Sequence, residues 1–330
     1  MNPQASALPS NGASDQADTQ AHWGGVFAIT LCVFALVASE FMPVSLLTPM
    51  AAELHVSEGW AGYGIAISGA FAVLTSLFVT KLAGGLNRKK LLLGLTGLMA
   101  VSGLIVGTAP NYLTYMVGRA LIGVVIGGFW SLSAAVAMRL VPNDQVPKAL
   151  AIFNGGNALA TVVAAPLGSY LGGVIGWRGA FFCLVPVALL ALVWQWISLP
   201  PMKSTPPTSA NVFRLFKSPL IARGMAAVGV FFMGQFMLFT YVRPFLETVT
   251  RVDVPVLSMI LLTLGVAGFV GTAVIGVFLK ASLYRPLIVI PIIMAGLAVA
   301  LTAFGGSTAV TFLLLGSWGL VATAAPVGWW

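Results

Sequence analysis

Glu40 is the residue in this chain whose type and position most directly suggest chemistry. It sits about 16 residues into the first long apolar run, or ~24 Å along a helix rising 1.5 Å per residue. An ionisable group that deep in hydrocarbon is costly and reads first as functional. Water exclusion favours the protonated form of a carboxyl, the property a proton carrier needs. The alternative is an earlier end to the helix, with Glu40 at the interface beside Phe41 and Pro43. Arg119 is the basic counterpart, ~7 residues or roughly 10 Å into the fourth apolar run. Glu40 and Arg119 are both expected in the same half of the membrane, positioned to face one cavity. A snorkelling arginine near the interface is the competing view.

A second group of residues suits binding rather than reaction. Phe129 and Trp130 offer rings in the fourth run. Asn154 and Asn157 in the fifth and Gln235 in the seventh offer amide donors and acceptors. Rings with amides suit a neutral heterocycle carrying a ribose, although each residue alone is as readily a packing residue. Gly123, Gly127 and Gly128 make a small-residue face for close helix packing. Pro166, with Gly168, Gly172 and Gly173, frees a carbonyl and predicts a bend in the fifth helix, either a static kink or a gate. Tyr241 and Arg243, at the end of the seventh run, read as interfacial anchors first and as an outer gate second.

Other chemistries lack residues. Cys32 and Cys183 both lie inside apolar runs and read as buried thiols. His22 and His55 lack a second ligand at metal spacing, so no metal or cofactor is expected. The sequence contains no phosphate-binding Gly-rich loop of the Walker type and no paired acid or Ser/His set in the apolar runs. This argues against an ATP-driven pump and against an enzyme. The net charge of +8 comes from 16 Lys and Arg spread thinly, with no stripe to hold nucleic acid.

The elements that hold these residues must be membrane helices. Apolar residues are 59% of the 330 and charged residues only 7%, against about 25% charge in a soluble domain. Runs near the 20 residues needed to cross a bilayer fall at about 24–52, 59–81, 90–108, 112–137, 149–175, 179–200, 219–246, 255–280, 286–304 and 308–330. These ten predict an all-α polytopic membrane protein. Placing the N-terminus inside puts twelve Lys and Arg in cytoplasmic loops and three on the opposite face, a strong positive-inside bias. Residues 1–22 are polar and read as a disordered cytoplasmic tail. Residues 23–200 form a six-helix N-terminal half, 201–218 a Pro-rich cytoplasmic linker, and 219–330 a half with four spans. Two helical halves joined by a linker is a common transporter plan, and a twelve-helix plan would leave the second half two helices short.

The residues resemble the major facilitator superfamily, and within it the bacterial drug:proton antiporter subfamily. The similarity lies in Glu40 to Met50, the run from Gly127 to Lys148, Gly176-Trp177-Arg178, Phe239 to Pro244, and Pro326 to Trp329. Arg119, Gly123 and Gly127 match the family's Arg-x-x-x-Gly-x-x-x-Gly pattern. Ala165-Pro166-x-Gly168 is similar to its Gly-Pro-x-x-Gly-Gly pattern. In the loop after the second span, Thr80, Gly84 and Asn87 replace the family's Gly, Asp and Gly, leaving Arg88 and Lys89 of that gating motif. Several segments are most like the subfamily's purine ribonucleoside exporters. The resemblance implies proton-coupled export of nucleosides such as inosine and guanosine by a monomer in the bacterial inner membrane. Sugar or multidrug efflux and a non-transporting fragment are the other readings. It also implies that Glu40 and Arg119 carry proton coupling, with Arg119 bonded to first-span backbone.

Overall fold

The computed structural model describes residues 21–202, 218–282 and 284–329. Residues 1–20 of the expected 1–22 tail and most of the expected linker lie outside them. The elements in chain order are α1 (Trp23–Glu53), α2 (Glu58–Ala83), α3 (Arg88–Gly107), α4 (Tyr112–Trp130), α5 (Ser133–Arg139), α6 (Val146–Ser198), α7 (Pro219–Thr240), α8 (Val242–Phe245), α9 (Val254–Ala281), α10 (Tyr284–Phe304), α11 (Thr308–Ala322) and α12 (Ala325–Trp329). Among the described residues, nine helices are long and apolar enough to cross a membrane. The longest contains a break at Gly176, with φ 77° and ψ 162°. A side chain there would be strained, whereas glycine adopts positive φ readily. The break divides α6 into two membrane-length segments, 146–175 and 177–198, which makes ten spans among the described residues.

Lipid offers no hydrogen bonds, so every span is a helix that satisfies its own backbone. Polar side chains close the ends: Ser57, Asn87, Asn111 and Asp253 each accept a backbone N–H in the first turn of α2, α3, α4 and α9.

Within three of the predicted runs the helix is interrupted. In the fourth, α4 gives way to α5 after Trp130, where the Ser131 hydroxyl donates to the Gly127 carbonyl at 2.7 Å, a bond that bends helices. In the seventh, α7 stops at Thr240, whose carbonyl Pro244 cannot serve with an N–H; the chain restarts as α8 and a π-turn over Leu246–Thr250. The last divides into α11 and α12. No such break occurs at Pro166: the dihedrals of α6 are helical there. The conformational break of this element is at Gly176 instead.

The helices pack through small residues. A methyl group at Gly123 or Gly127 would overlap the Ser68 or Ala72 carbonyl of α2. The second half repeats this contact, with Gly271 of α9 against Leu320 and Gly319 of α11 against Leu264. In both halves the second and fourth spans therefore meet backbone to backbone. Along α1, Gly156 and Gly168 of α6 lie on Thr30 and on Met42 with Ser45. Without a hydrophobic force between helices in lipid, such close approach is what holds a bundle together. Buried polar groups add to it: Thr96 of α3 bridges Cys32 of α1 (3.3 Å) and Gln195 of α6 (3.2 Å). Cys183, by contrast, is exposed on the bundle surface, which corrects the expectation of two buried thiols.

The two ends of the bundle differ. At the end where α1 terminates in Glu53, the halves meet in an apolar cluster of Val44, Ala165 and Ile65 with Val242, Leu246 and Leu257. Arg178 pairs with Glu53 there, donates to the Ala109 carbonyl at 2.9 Å and lies 4.3 Å from the Trp177 ring. At the His22 end, the Asn87 side chain accepts the Met202 N–H (3.1 Å) and the Arg88 N–H donates to the Met202 carbonyl (3.0 Å). The residual motif at Arg88 thus anchors the chain leaving the N-terminal half.

Candidate functional site

Two prolines inside α1, Pro43 and Pro49, shape the polar interior. Proline has no N–H, so each leaves the carbonyl four residues earlier without a helical donor. These carbonyls belong to Ser39 and Ser45. Arg119 of α4, fully buried, donates through Nη1 to the Ser39 carbonyl at 2.9 Å. Its Nε donates to the Gly64 carbonyl (3.0 Å) and its Nη2 to the Ser68 hydroxyl (3.1 Å), both on α2. A charge is tolerable here because several hydrogen bonds disperse it.

Glu40 is the next residue along α1 and is half-buried. It has no hydrogen-bond or ion-pair partner among the described residues, although the Arg119 charge acts on it. The expectation that the two face each other across one cavity is therefore corrected. Arg119 is committed to backbone and Ser68, and neither residue lines the central cavity.

That cavity has a volume of about 600 Å³ and lies between the halves, toward the His22 end. Asn154, Asn157 and Gln235 line it, together with Thr161, Thr272 and Thr323. Its aromatic wall is Phe41, Phe232, Phe236 and Phe269, extended at its deep end by Phe239. The Phe41 and Phe239 rings meet edge to face at 5.4 Å, and Phe232 and Phe236 lie 6.3 Å apart. None of the lining residues is Asp, Glu, Lys or Arg. The Gln235 Oε1 is buried and has no partner among the described residues. Val162 also lines this space. Pro166 leaves its carbonyl without a helical donor, and that oxygen lies against Gly265 of α9.

The structure therefore gathers three of the five expected binding residues and separates two. Phe129 is fully buried in the core of the N-terminal half, with Leu92, Leu95 and Val125. Trp130 packs edge to face on Phe153 at 6.0 Å and does not line the cavity. The rings that line the cavity instead include Phe41, Phe232 and Phe236, with no sequence signal to mark them among 20 phenylalanines. The Val162 carbonyl was detectable in principle, because Pro166 four residues later announces it. Arg243 is also corrected. Rather than anchoring at an interface, its side chain is 7% exposed, donating to the Ser45 carbonyl and to Glu247 Oε1. Tyr241 is partly exposed, and its hydroxyl lies over Gly62 of α2. No group of three or more metal-ligating side chains occurs among the described residues.

Comparison with known proteins agrees with this architecture. A protein of Pseudomonas aeruginosa named transcription regulatory protein OpdE is 61% identical over 96% of this chain and 80% of its own length. The purine ribonucleoside efflux pump NepI of Salmonella paratyphi B is 40% identical over 93% of this chain and 78% of its own. Among solved structures, an inward-facing bacterial homologue of the human lysosomal transporter Spinster superposes with a TM-score of 0.72 at 16% identity, covering 93% of this chain and 74% of that one. The D-xylose–proton symporter gives 0.69 at 14% identity, covering 93% and 81%. The sequence profile of the Major Facilitator Superfamily matches residues 29–330. The chain belongs to the major facilitator superfamily of multi-pass membrane transporters of small molecules.

Proposed function

We propose that this transporter exports purine ribonucleosides, such as inosine and guanosine, in exchange for protons. It works as a monomer in the bacterial inner membrane, with its N-terminus in the cytoplasm. The cavity, large enough for one small molecule and free of charged lining residues, is the observation that carries this reading. A site in that range of volume, apolar with a few convergent polar groups, is typical of small-ligand binding. The absence of charge selects an uncharged solute, because an ion would be desolvated without a partner. Phe41 and Phe236 supply faces for a base to stack against. Gln235 supplies donor and acceptor for its polar edge, and Asn154 and Asn157 suit a ribose. The same logic rejects nucleotides, whose phosphate would find no counter-charge. The 40% identity to a purine ribonucleoside efflux pump supports the substrate class.

Glu40 carries the proton in this reading. It is the acidic residue within a described span, away from the helix ends, and it adjoins Phe41 of the cavity wall. Loading Glu40 and occupying the cavity therefore act on the same turn of α1. Arg119 fixes that turn through the Ser39 carbonyl. The basic loops support a cytoplasmic N-terminus, which makes the cavity open inward. The name of the 61% identical relative suggests a transcriptional effect, which we read as secondary to moving a solute that a regulator senses.

The test is uptake of labelled inosine into inverted membrane vesicles with an imposed proton gradient. Inosine should accumulate, inosine monophosphate should not, and a protonophore should abolish accumulation. Accumulation of a sugar or a hydrophobic drug with none of inosine would overturn the substrate. Inosine accumulation unaffected by the protonophore would overturn the coupling.

A further inference from the structure

The second proline-freed carbonyl of α1 has a different kind of partner from the first. The Ser39 carbonyl is taken by Arg119, which belongs to the same half as α1. The Ser45 carbonyl is taken by Arg243, which belongs to the other half and follows directly on the break that ends α7. Both carbonyls are buried in the bundle, both lack a helical donor, and both receive a guanidinium. Only the second bond crosses between halves that must move relative to each other.

We propose that Arg243 and the Ser45 carbonyl form a latch that holds the Glu53 end of the bundle shut, with Pro49 creating its receptor. The surroundings fit a closed seal. Val44, Ala165 and Ile65 of one half meet Val242, Leu246 and Leu257 of the other in one hydrophobic cluster. Tyr241, two residues before Arg243, closes over Gly62. Buried in that apolar setting, the Ser45 carbonyl needs a protein donor, and Arg243 supplies it.

Glu247, one helical turn on, accepts from Arg243 Nε at 2.7 Å. The guanidinium therefore keeps a counter-charge whether or not it reaches α1. Transporters of this plan work by rocking one half against the other around a central site. When the Glu53 end opens, water enters the cleft, satisfies the Ser45 carbonyl and solvates the freed face of Arg243. Each position of the latch then leaves no buried polar group unpaired, so it biases the two arrangements without trapping either. The latch holds whatever solute the cavity takes.

The experiment places Ile65→Cys in the seal, in the full chain with Cys32→Ala and Cys183→Ala, reconstituted in lipid nanodiscs where reagent reaches both faces. The rate of maleimide labelling at position 65 reports opening of the Glu53 end. Arg243→Gln should raise that rate by roughly tenfold, as expected for loss of a charge-assisted hydrogen bond. Pro49→Ala should do the same, because alanine at that position restores an N–H that pairs the Ser45 carbonyl within α1. It preserves the helix, so it decides the matter even if Arg243→Gln folds poorly. The double variant should label no faster than the quicker single variant, because both changes remove one bond. Pro43→Ala, which acts within one half, should leave the rate unchanged. Unchanged labelling in folded Pro49→Ala, additive effects in the double variant, or equal acceleration by Pro43→Ala would each overturn the latch.

Discussion

Arg119 and Ser39 meet at 2.9 Å through a carbonyl that Pro43 has released from the α1 ladder. The arginine is tolerated in the bundle because α1 presents an acceptor there, and α1 presents it because a proline interrupts its hydrogen bonding. Guanidinium and proline are thus two parts of one feature, spread over α1 and α4.

Removing Arg119 should therefore be repaired by removing the proline. Arg119→Met leaves the Ser39 carbonyl buried and unpaired, at a cost of about 1–3 kcal/mol. Adding Pro43→Ala supplies an N–H to that carbonyl and should recover most of the loss. Thermal unfolding of the purified protein in detergent measures both. A double variant less stable than Arg119→Met would show that the carbonyl is not the main acceptor.

Glu40→Gln should separate binding from coupling. The neutral amide cannot exchange a proton, so proton-driven inosine accumulation should be lost. Exchange of labelled for unlabelled inosine across vesicles needs no net proton movement and should persist. Accumulation that survives in Glu40→Gln would remove Glu40 from the mechanism.

The cavity wall predicts which phenylalanines matter for the solute. Phe236→Ala should weaken inosine binding by roughly 5- to 150-fold, the range expected for one base stack of about 1–3 kcal/mol. Phe129→Leu, in the core of the N-terminal half, should lower the melting temperature and leave the apparent affinity unchanged. Competition of unlabelled inosine against transport of the labelled compound distinguishes the two.

Close helix approach predicts opposite effects for two glycines. Gly127→Ala would place a methyl group on the Ala72 carbonyl and should cost about 1–3 kcal/mol by forcing α4 from α2. Gly155→Ala on α6 meets nothing within 4 Å and should stabilise the helix by up to about 1 kcal/mol. Melting temperatures in the same detergent report both, and a loss at Gly155 would point to a partner surface there.

The spans could be read from sequence because lipid leaves a chain little choice: about 20 apolar residues must form a helix that satisfies its own backbone. The freed carbonyls were equally local, since Pro43, Pro49 and Pro166 identify Ser39, Ser45 and Val162 by counting back one turn. The amides at Asn154, Asn157 and Gln235 stood out because polar side chains are scarce in these helices, and the structure lines the cavity with all three. Phenylalanines carry no such mark. Helices that are apolar all round have no periodicity to separate core from cavity, so Phe129 and Phe236 look alike until the rotation of α4 and α7 is known. The donors to the freed carbonyls were also out of reach, lying 80 residues from Ser39 and 198 from Ser45. The local pattern determined where α1 would need a partner. Only the packing of one half against the other decided that Arg243 would be it, because an unpaired carbonyl selects a donor by proximity, and proximity across a bundle is a property of the fold.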